Sequence, residues 1–225
     1  MQDRKKKRLK KTVRWLLVDI AVTCIILALL LYKPSDYRPP EVNPADHKKG
    51  QIHPYLTHLS AELYNNSQLE RPFELVVLEG QINEAISFSD WPLESEGVKI
   101  SEPVVLFIPE KIVLMGKANV KGAEFIVTIM VQPGVDQQGL LNLKMSKLKI
   151  GAMNVTPLAK VIAKKMYKDR LATGYIDTED LRTKISGSLL TNEPFEPVFR
   201  IDDEKVRIDK ITVEKGRLIL RLVPH

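Results

Sequence analysis

One cysteine, Cys24, serves the whole 225-residue chain. It lies inside an apolar run, so the rest of the chain has no disulfide and no thiolate metal site and must be held together by burial. Catalytic signatures are absent as well: there is no G-x-S-x-G, no P-loop and no dinucleotide fingerprint. Basic charge is scarce outside the first residues. Residues 1–14 carry eight Lys or Arg and one Asp, a net +7, against +6 for the whole chain, so residues 15–225 net −1. Nucleic-acid binding needs a clustered positive surface, and this balance argues against it.

The basic start is followed by an apolar run from Trp15 to Tyr32, in which residues 16–31 hold eleven Leu, Ile or Val. A membrane span needs roughly 20 mostly apolar residues. These side chains contribute about −3 to −7 kcal/mol in sum, against at most about +3 for Asp19. Trp15 and Tyr32 stand where interfacial aromatics belong, and Asp19, one turn from Arg14, reads as an Arg-paired snorkelling residue. A cleaved signal peptide shares the charged start and apolar core. It fits less well, because the run leaves through Leu31-Tyr32-Lys33-Pro34 and Thr23 is a poor neighbour for a lipoprotein cleavage at Cys24. The expectation is an uncleaved single-pass signal-anchor in the cytoplasmic (inner) membrane. The positive-inside rule then places a basic cytoplasmic tail at 1–14, the span at 15–32 and the rest in the cell envelope outside. Such a tail also suits anionic lipid.

Residues 33–50 hold Pro34, Pro39, Pro40 and Pro44 and read as a linker letting the domain stand off the bilayer. The domain itself, 51–225, opens with a helix over 54–68 marked by Leu56, Leu59 and Leu63. A strand at Phe73–Val77 and a helix over 79–87 follow. Four strands are then expected at 98–108, 111–120, 123–131 and 140–150, joined by short turns as an antiparallel meander. Val104–Ile108 and Phe125–Val131 are apolar on both faces, so both faces should be covered. In the fourth strand Leu141, Leu143 and Met145 share a parity that Leu148 and Ile150 break, and a bulge near Ser146-Lys147 would restore them. Thr156-Pro157 predicts an N-cap and helix start. A further helix is expected from Asp177 or Thr178 to Ser186, then strands at 197–201, 205–213 and 217–222.

Several constellations have a plain and a chemical reading. Ser146-Lys147-Leu148-Lys149 has S-x-x-K spacing, but it sits in a strand without companion motifs. His53 and His58 are five apart rather than four, which suits a surface or cap role better than metal binding. Either one beside a carboxylate in a cleft would reopen an enzymatic reading. Asp202-Asp203-Glu204 reads as a solvated turn. The lysines of the 157–168 helix read as a solvated flank, with anionic headgroups as the alternative partner.

Phe73–Ile86, Ile112-Val113-Leu114-Met115-Gly116, Gly139–Leu143, Lys147–Gly151 and the Pro-led helix together resemble the YpmS-like family of membrane-anchored bacterial proteins. More distantly they are similar to LmeA-like envelope proteins and the tubular lipid-binding (TULIP) architecture. The likeness covers about residues 70–170. It rests on hydrophobics and glycines, carries no functional residue across, and leaves 51–69 and the last 35 residues unmatched. It implies a helix wrapped by a curved antiparallel sheet with an apolar groove.

The expected fold is α+β, with a curved antiparallel sheet packed on two to four helices behind the membrane helix. The expected function is a non-enzymatic envelope domain without cofactor or metal, whose partners are membrane lipids and an acyl chain buried in a groove. The candidate groove residues are Val105, Phe107, Ile126 and Met130, or their neighbours of opposite parity. The alternative is a structural module that docks an envelope protein.

Overall fold

The structure, a computed structural model, describes residues 2–40, 52–89, 91–95, 97–159, 161 and 181–225. Helix α1 (Gln2–Leu30) contains one stretch, Thr12–Leu30, long and apolar enough to cross a membrane, with mean hydropathy 2.3. From Thr12 to Leu29 its side chains are exposed on every side. Trp15 lies in the first turn of the stretch and Tyr32 two residues beyond its end, both exposed. The Asp19 carbonyl accepts from the Thr23 hydroxyl at 2.8 Å. Among the described residues no ion pair joins the Asp19 carboxylate to Arg14.

Two antiparallel sheets form the domain. One has four strands, ordered β1 (Phe73–Leu78), β10 (Arg217–Pro224), β9 (Glu204–Glu214) and β8 (Val198–Ile201). The other has six strands in chain order: β2 (Leu93–Ser95), β3 (Val98–Ile108), β4 (Lys111–Val120), β5 (Ala123–Val135), β6 (Leu141–Ile150) and β7 (Met153–Asn154). Helix α2 (Pro54–Ser67) lies against helix α3 (Glu79–Ser87) and β1, and α4 (Leu181–Thr191) lies on β6. The sheets are joined at the β9–β10 turn. Gly216 N–H donates to the Phe107 carbonyl at 3.0 Å, and the Gly216 carbonyl accepts from Glu79 N–H at 2.9 Å.

Most element boundaries fall where the pattern predicts, and the expected bulge is present. Val131 pairs with Met145 and Met130 with Lys147, so Ser146 has no partner across the ladder. Its hydroxyl donates to the Met130 carbonyl at 3.1 Å, and Leu148 and Ile150 rejoin the face of Met145. Two expectations about helix ends are corrected. Helical residues begin at Thr156 itself, whose hydroxyl is occupied by Leu148 of β6, accepting its N–H at 2.7 Å. The Thr156 N–H goes instead to the Asn154 side chain at 3.1 Å. Helix α4 continues past Ser186 to Thr191, because Ser188 is fixed on the sheet as acceptor for Leu143 N–H at 2.9 Å. Its expected start at 177–178, and all four lysines of the 157–168 helix flank (Lys160, Lys164, Lys165 and Lys168), lie outside the described residues.

The largest correction concerns the segment after α1, which does not behave as a free spacer over 33–40. Tyr37 is 2% exposed and packs with Val104, Val113, Met115 and Ile126 on the six-stranded sheet. Its hydroxyl donates to the Glu102 carbonyl at 2.9 Å. Glu102 has φ +51 and lies in the irregularity between Ser101 and Val104, which turns its carbonyl out of the ladder toward the phenol. A buried aromatic with its polar tip paired is the arrangement such a side chain favours. The prolines on either side limit the chain entropy lost on docking. Across the same end of the sheet, at β6, Ala152 N–H donates to the Leu29 carbonyl at 2.8 Å. The end of α1 is therefore capped by the β6–β7 turn. Gly151, with φ +57, makes the approach possible, since a Cβ there would overlap the carbonyls of Leu29 and Leu30.

Gly151→Val should break this junction, adding the left-handed penalty of about 1–2 kcal/mol to the overlap. The expected outcome is a lower melting temperature and new chymotrypsin cleavage after Tyr37, which is buried when the junction is intact, and unchanged resistance at that site would contradict the junction. A second prediction concerns alkaline pH. The Tyr37 phenol is pushed up to about 12 from its ordinary value near 10, first by burial and then by the Glu102 carboxylate. Lys117, whose Nζ is 2.6 Å from Glu102 Oε1, is also raised, first through that hydrogen bond. Both groups hold their protons more tightly folded than unfolded, so their stabilisation is whole below about pH 10 and is lost as pH rises toward 12. Denaturant midpoints should be flat up to pH 10 and fall beyond it, and Tyr37→Phe, which cannot ionise, should fall less over the same interval.

Candidate functional site

Residues paired across an antiparallel ladder point the same way, and neighbours along a strand alternate. The register therefore sorts the six-stranded sheet into two faces. Ile126 and Met130 share the face of Val104, Val113, Met115 and Thr128, which lies under Tyr37. Val105 and Phe107 belong to the opposite face. The four groove candidates are thus not brought together. Two are covered by the chain's own Tyr37 segment, and the partners of the other two on β5 are the opposite-parity residues Ile129 and Val131.

That opposite face is apolar from strand to strand. One row runs Phe107, Ile112, Val131, Met145, and the next Val105, Leu114, Ile129, Leu148. Gly116, Val127 and Ile150 form a third row, and Leu93, Ile100, Ala118 and Phe125 a fourth. Exposure rises along this sequence. Phe107, Val131 and Met145 are buried, and the second and third rows, apart from the glycine, are half-buried side chains. Leu93, Ile100 and Val120 are 57%, 45% and 38% exposed. The open end of the face is the end at which the β6–β7 turn holds α1. Large apolar side chains left open together are a recurrent feature of binding surfaces. Gly116 sits in the middle of this region, and a Cβ there would come no closer than 3.7 Å to Ile100 Cγ2 or the Ser101 carbonyl.

One edge of the apolar face is sealed by side chains. Strand β2 pairs only with Val98–Ile100, which would leave the outer edge of β3 bare beyond the irregularity. Helix α3 covers it. Asn83 Nδ2 donates to the Val105 carbonyl and Asn83 Oδ1 accepts from Val105 N–H, both at 2.7 Å. Glu79 Oε2 accepts from Phe107 N–H at 2.6 Å. A primary amide presents one donor and one acceptor, as a neighbouring strand would. Sequence patterning treats Asn83 and Glu79 as a polar helix face, and nothing in it signals this role. Tyr37 escapes for a similar reason, since its partner Glu102 is 65 residues away.

The two histidines meet carboxylates. Between α2, β1 and α3 lies a cleft of about 590 Å³ lined by His53, Tyr55, His58, Leu59, Glu62, Val76, Leu78, Gln81 and Glu84. His53 Nε2 is 3.8 Å from Glu84 Oε1, and His58 Nδ1 is 4.0 Å from Glu62 Oε2. His53 Nδ1 accepts from Tyr55 N–H at 3.2 Å and so caps α2, and its ring meets Phe88 edge-on with centroids 4.8 Å apart. In the neutral ring the proton is then on Nε2. The Tyr55 hydroxyl is itself an acceptor, for Leu78 N–H at 2.8 Å. Among the described residues that line this cleft there is no Ser, Thr or Cys, and the histidine–carboxylate proximity is the arrangement that keeps an enzymatic reading open. Among the described residues no three His, Cys, Asp or Glu gather as a metal site. Ser146 stays in its strand, bonded to backbone, and Asp202-Asp203 form the β8–β9 turn.

No protein-family model matches this chain, and no curated protein or solved structure matches it.

Proposed function

We propose that this protein is a single-pass, membrane-anchored envelope module that binds an acyl chain, or the apolar part of an envelope lipid, on the open face of its six-stranded sheet. The observation that carries the reading is the gradient of that face. It is apolar across β2 to β6, buried at Phe107 and open at Leu93, Ile100 and Val120, where the sheet meets the end of α1. With α1 across the bilayer, this open end faces the lipid phase, and a chain can pass onto the sheet without crossing open water. Each buried methylene contributes about 0.8 kcal/mol, so eight of them supply roughly 6 kcal/mol before the cost of ordering the chain. The residues that carry the binding are Ile100, Val127, Ile129 and Val105, with Gly116 between them. No covalent step is part of this reading, and the histidine cleft serves to join α2 to α3.

A second reading, a module that docks an envelope protein without a small ligand, is favoured by Tyr37. One face of the sheet is already filled by the chain itself, as that reading expects.

The experiment that separates them is native mass spectrometry on the full chain in mild detergent, since a fragment starting near residue 45 would lose Tyr37. The wild type should retain mass in the lipid range, or take up added fatty acid and melt at a higher temperature. Leu93→Lys with Ile100→Lys changes two exposed positions and should weaken uptake at least tenfold while the fold persists. A protein that stays free of lipid after incubation with mixed phospholipids, or a double variant that binds as well as wild type, would overturn the lipid reading.

A further inference from the structure

We propose that Leu158 and Val161 form a second membrane contact of the domain, resting in the interfacial layer of the bilayer that α1 crosses. The proposal depends on the membrane-spanning reading of α1 and adds an orientation for the domain upon it. The two side chains are 63% and 69% exposed. They stand three apart in a helical stretch that begins at Thr156, so they project from one side of it.

The position of this stretch selects its partner. Ala152 N–H is bonded to the Leu29 carbonyl at 2.8 Å, and the six residues from Ala152 to Leu158 reach at most about 20 Å. Two further ties shorten that reach. Met153 pairs with Ile150, and Val155 N–H donates to the Leu148 carbonyl at 2.9 Å. The chain is thus folded back on β6, and the helical stretch starts beside Leu148, a few strand residues or about 10 Å from the junction with α1. On the α1 side of the junction Leu31 and Tyr32 are exposed too. The polar layer on each side of a bilayer is about 5–8 Å deep, and long apolar side chains that project from a stretch starting this near the end of a spanning helix can reach it. Water would leave two large apolar side chains uncovered, whereas the interface buries them without any change in the fold. Two contacts, α1 and this turn, would hold the sheet at one tilt and keep its open end toward the lipid.

The test is electron paramagnetic resonance of the full chain in nanodiscs of mixed zwitterionic and anionic phospholipid. Single spin labels are placed in a Cys24→Ser background at Leu158→Cys, Val161→Cys, Leu27→Cys and Gln137→Cys. Gln137 lies in the β5–β6 turn, ten strand residues or about 33 Å from the junction. Labels at 158 and 161 should be reached by oxygen in preference to a water-soluble nickel chelate, less deeply than the label at 27, while the label at 137 should be aqueous. If 27 is lipid-embedded and 158 and 161 behave like 137, the second contact is wrong and the anchor stands. If 158 and 161 are shielded from both reagents, a second copy of the chain covers them and the proposal fails. If 27 is aqueous, the spanning reading fails and the proposal with it.

Discussion

The burial of Tyr37 is the contact on which the rest of the arrangement depends. The side chain comes from the segment that leaves α1, lies on Val104, Val113, Met115 and Ile126, and donates its hydroxyl to Glu102. Without it that sheet face would expose the same kind of apolar surface that the opposite face leaves partly open. With it, and with Leu29 held by Ala152 at the β6–β7 turn, α1 and the domain are joined at two places on one sheet. Gly151 permits the second junction because it has no Cβ and adopts a left-handed φ. An apolar helix and a β domain, which could be independent units on a string, become one body.

That coupling gives the two faces of the sheet different roles. One is closed from within by residues of the same chain and contributes stability. The other is sealed along β3 by Asn83 and Glu79, buried at Phe107, and opens toward the end of α1. The polarity of the opening arises from strand geometry: the turn that holds α1 lies at the same end of the sheet as Leu93, Ile100 and Val120. The histidine cleft lies elsewhere, between α2, β1 and α3, and its hydrogen bonds close a helix N-terminus and a strand end.

Local pattern made most of the fold legible. Period-two alternation and turn residues located β3, β4 and β6 to within a residue, and the parity break in β6 located the bulge at Ser146. Helix α3 was visible from Ile82 and Ile86. Pairing between distant segments was not visible. Separate sheets arise because β1 pairs with β10, almost 150 residues away, and a strand's own pattern does not name its partner. The site was half legible for the same reason. Strands apolar on both faces announce two buried surfaces, but they do not say which one the chain fills itself. Val105 and Phe107 were therefore grouped with Ile126 and Met130, although the register places the pairs on opposite sides. Tyr37, in a proline-rich stretch with no periodicity, carried no local sign that it would be the most consequential residue after the helix.

The most direct test of a single body is a distance distribution between α1 and the domain. Paired spin labels at Leu27→Cys and Lys144→Cys, in a Cys24→Ser full-length chain in nanodiscs, would be measured by double electron–electron resonance. A junction held by Tyr37, Gly151 and Ala152 predicts one narrow distribution that broadens on Gly151→Val. A distribution already broad in the unaltered junction, unchanged by that substitution, would mean that the domain swings freely on its tether and would contradict the account.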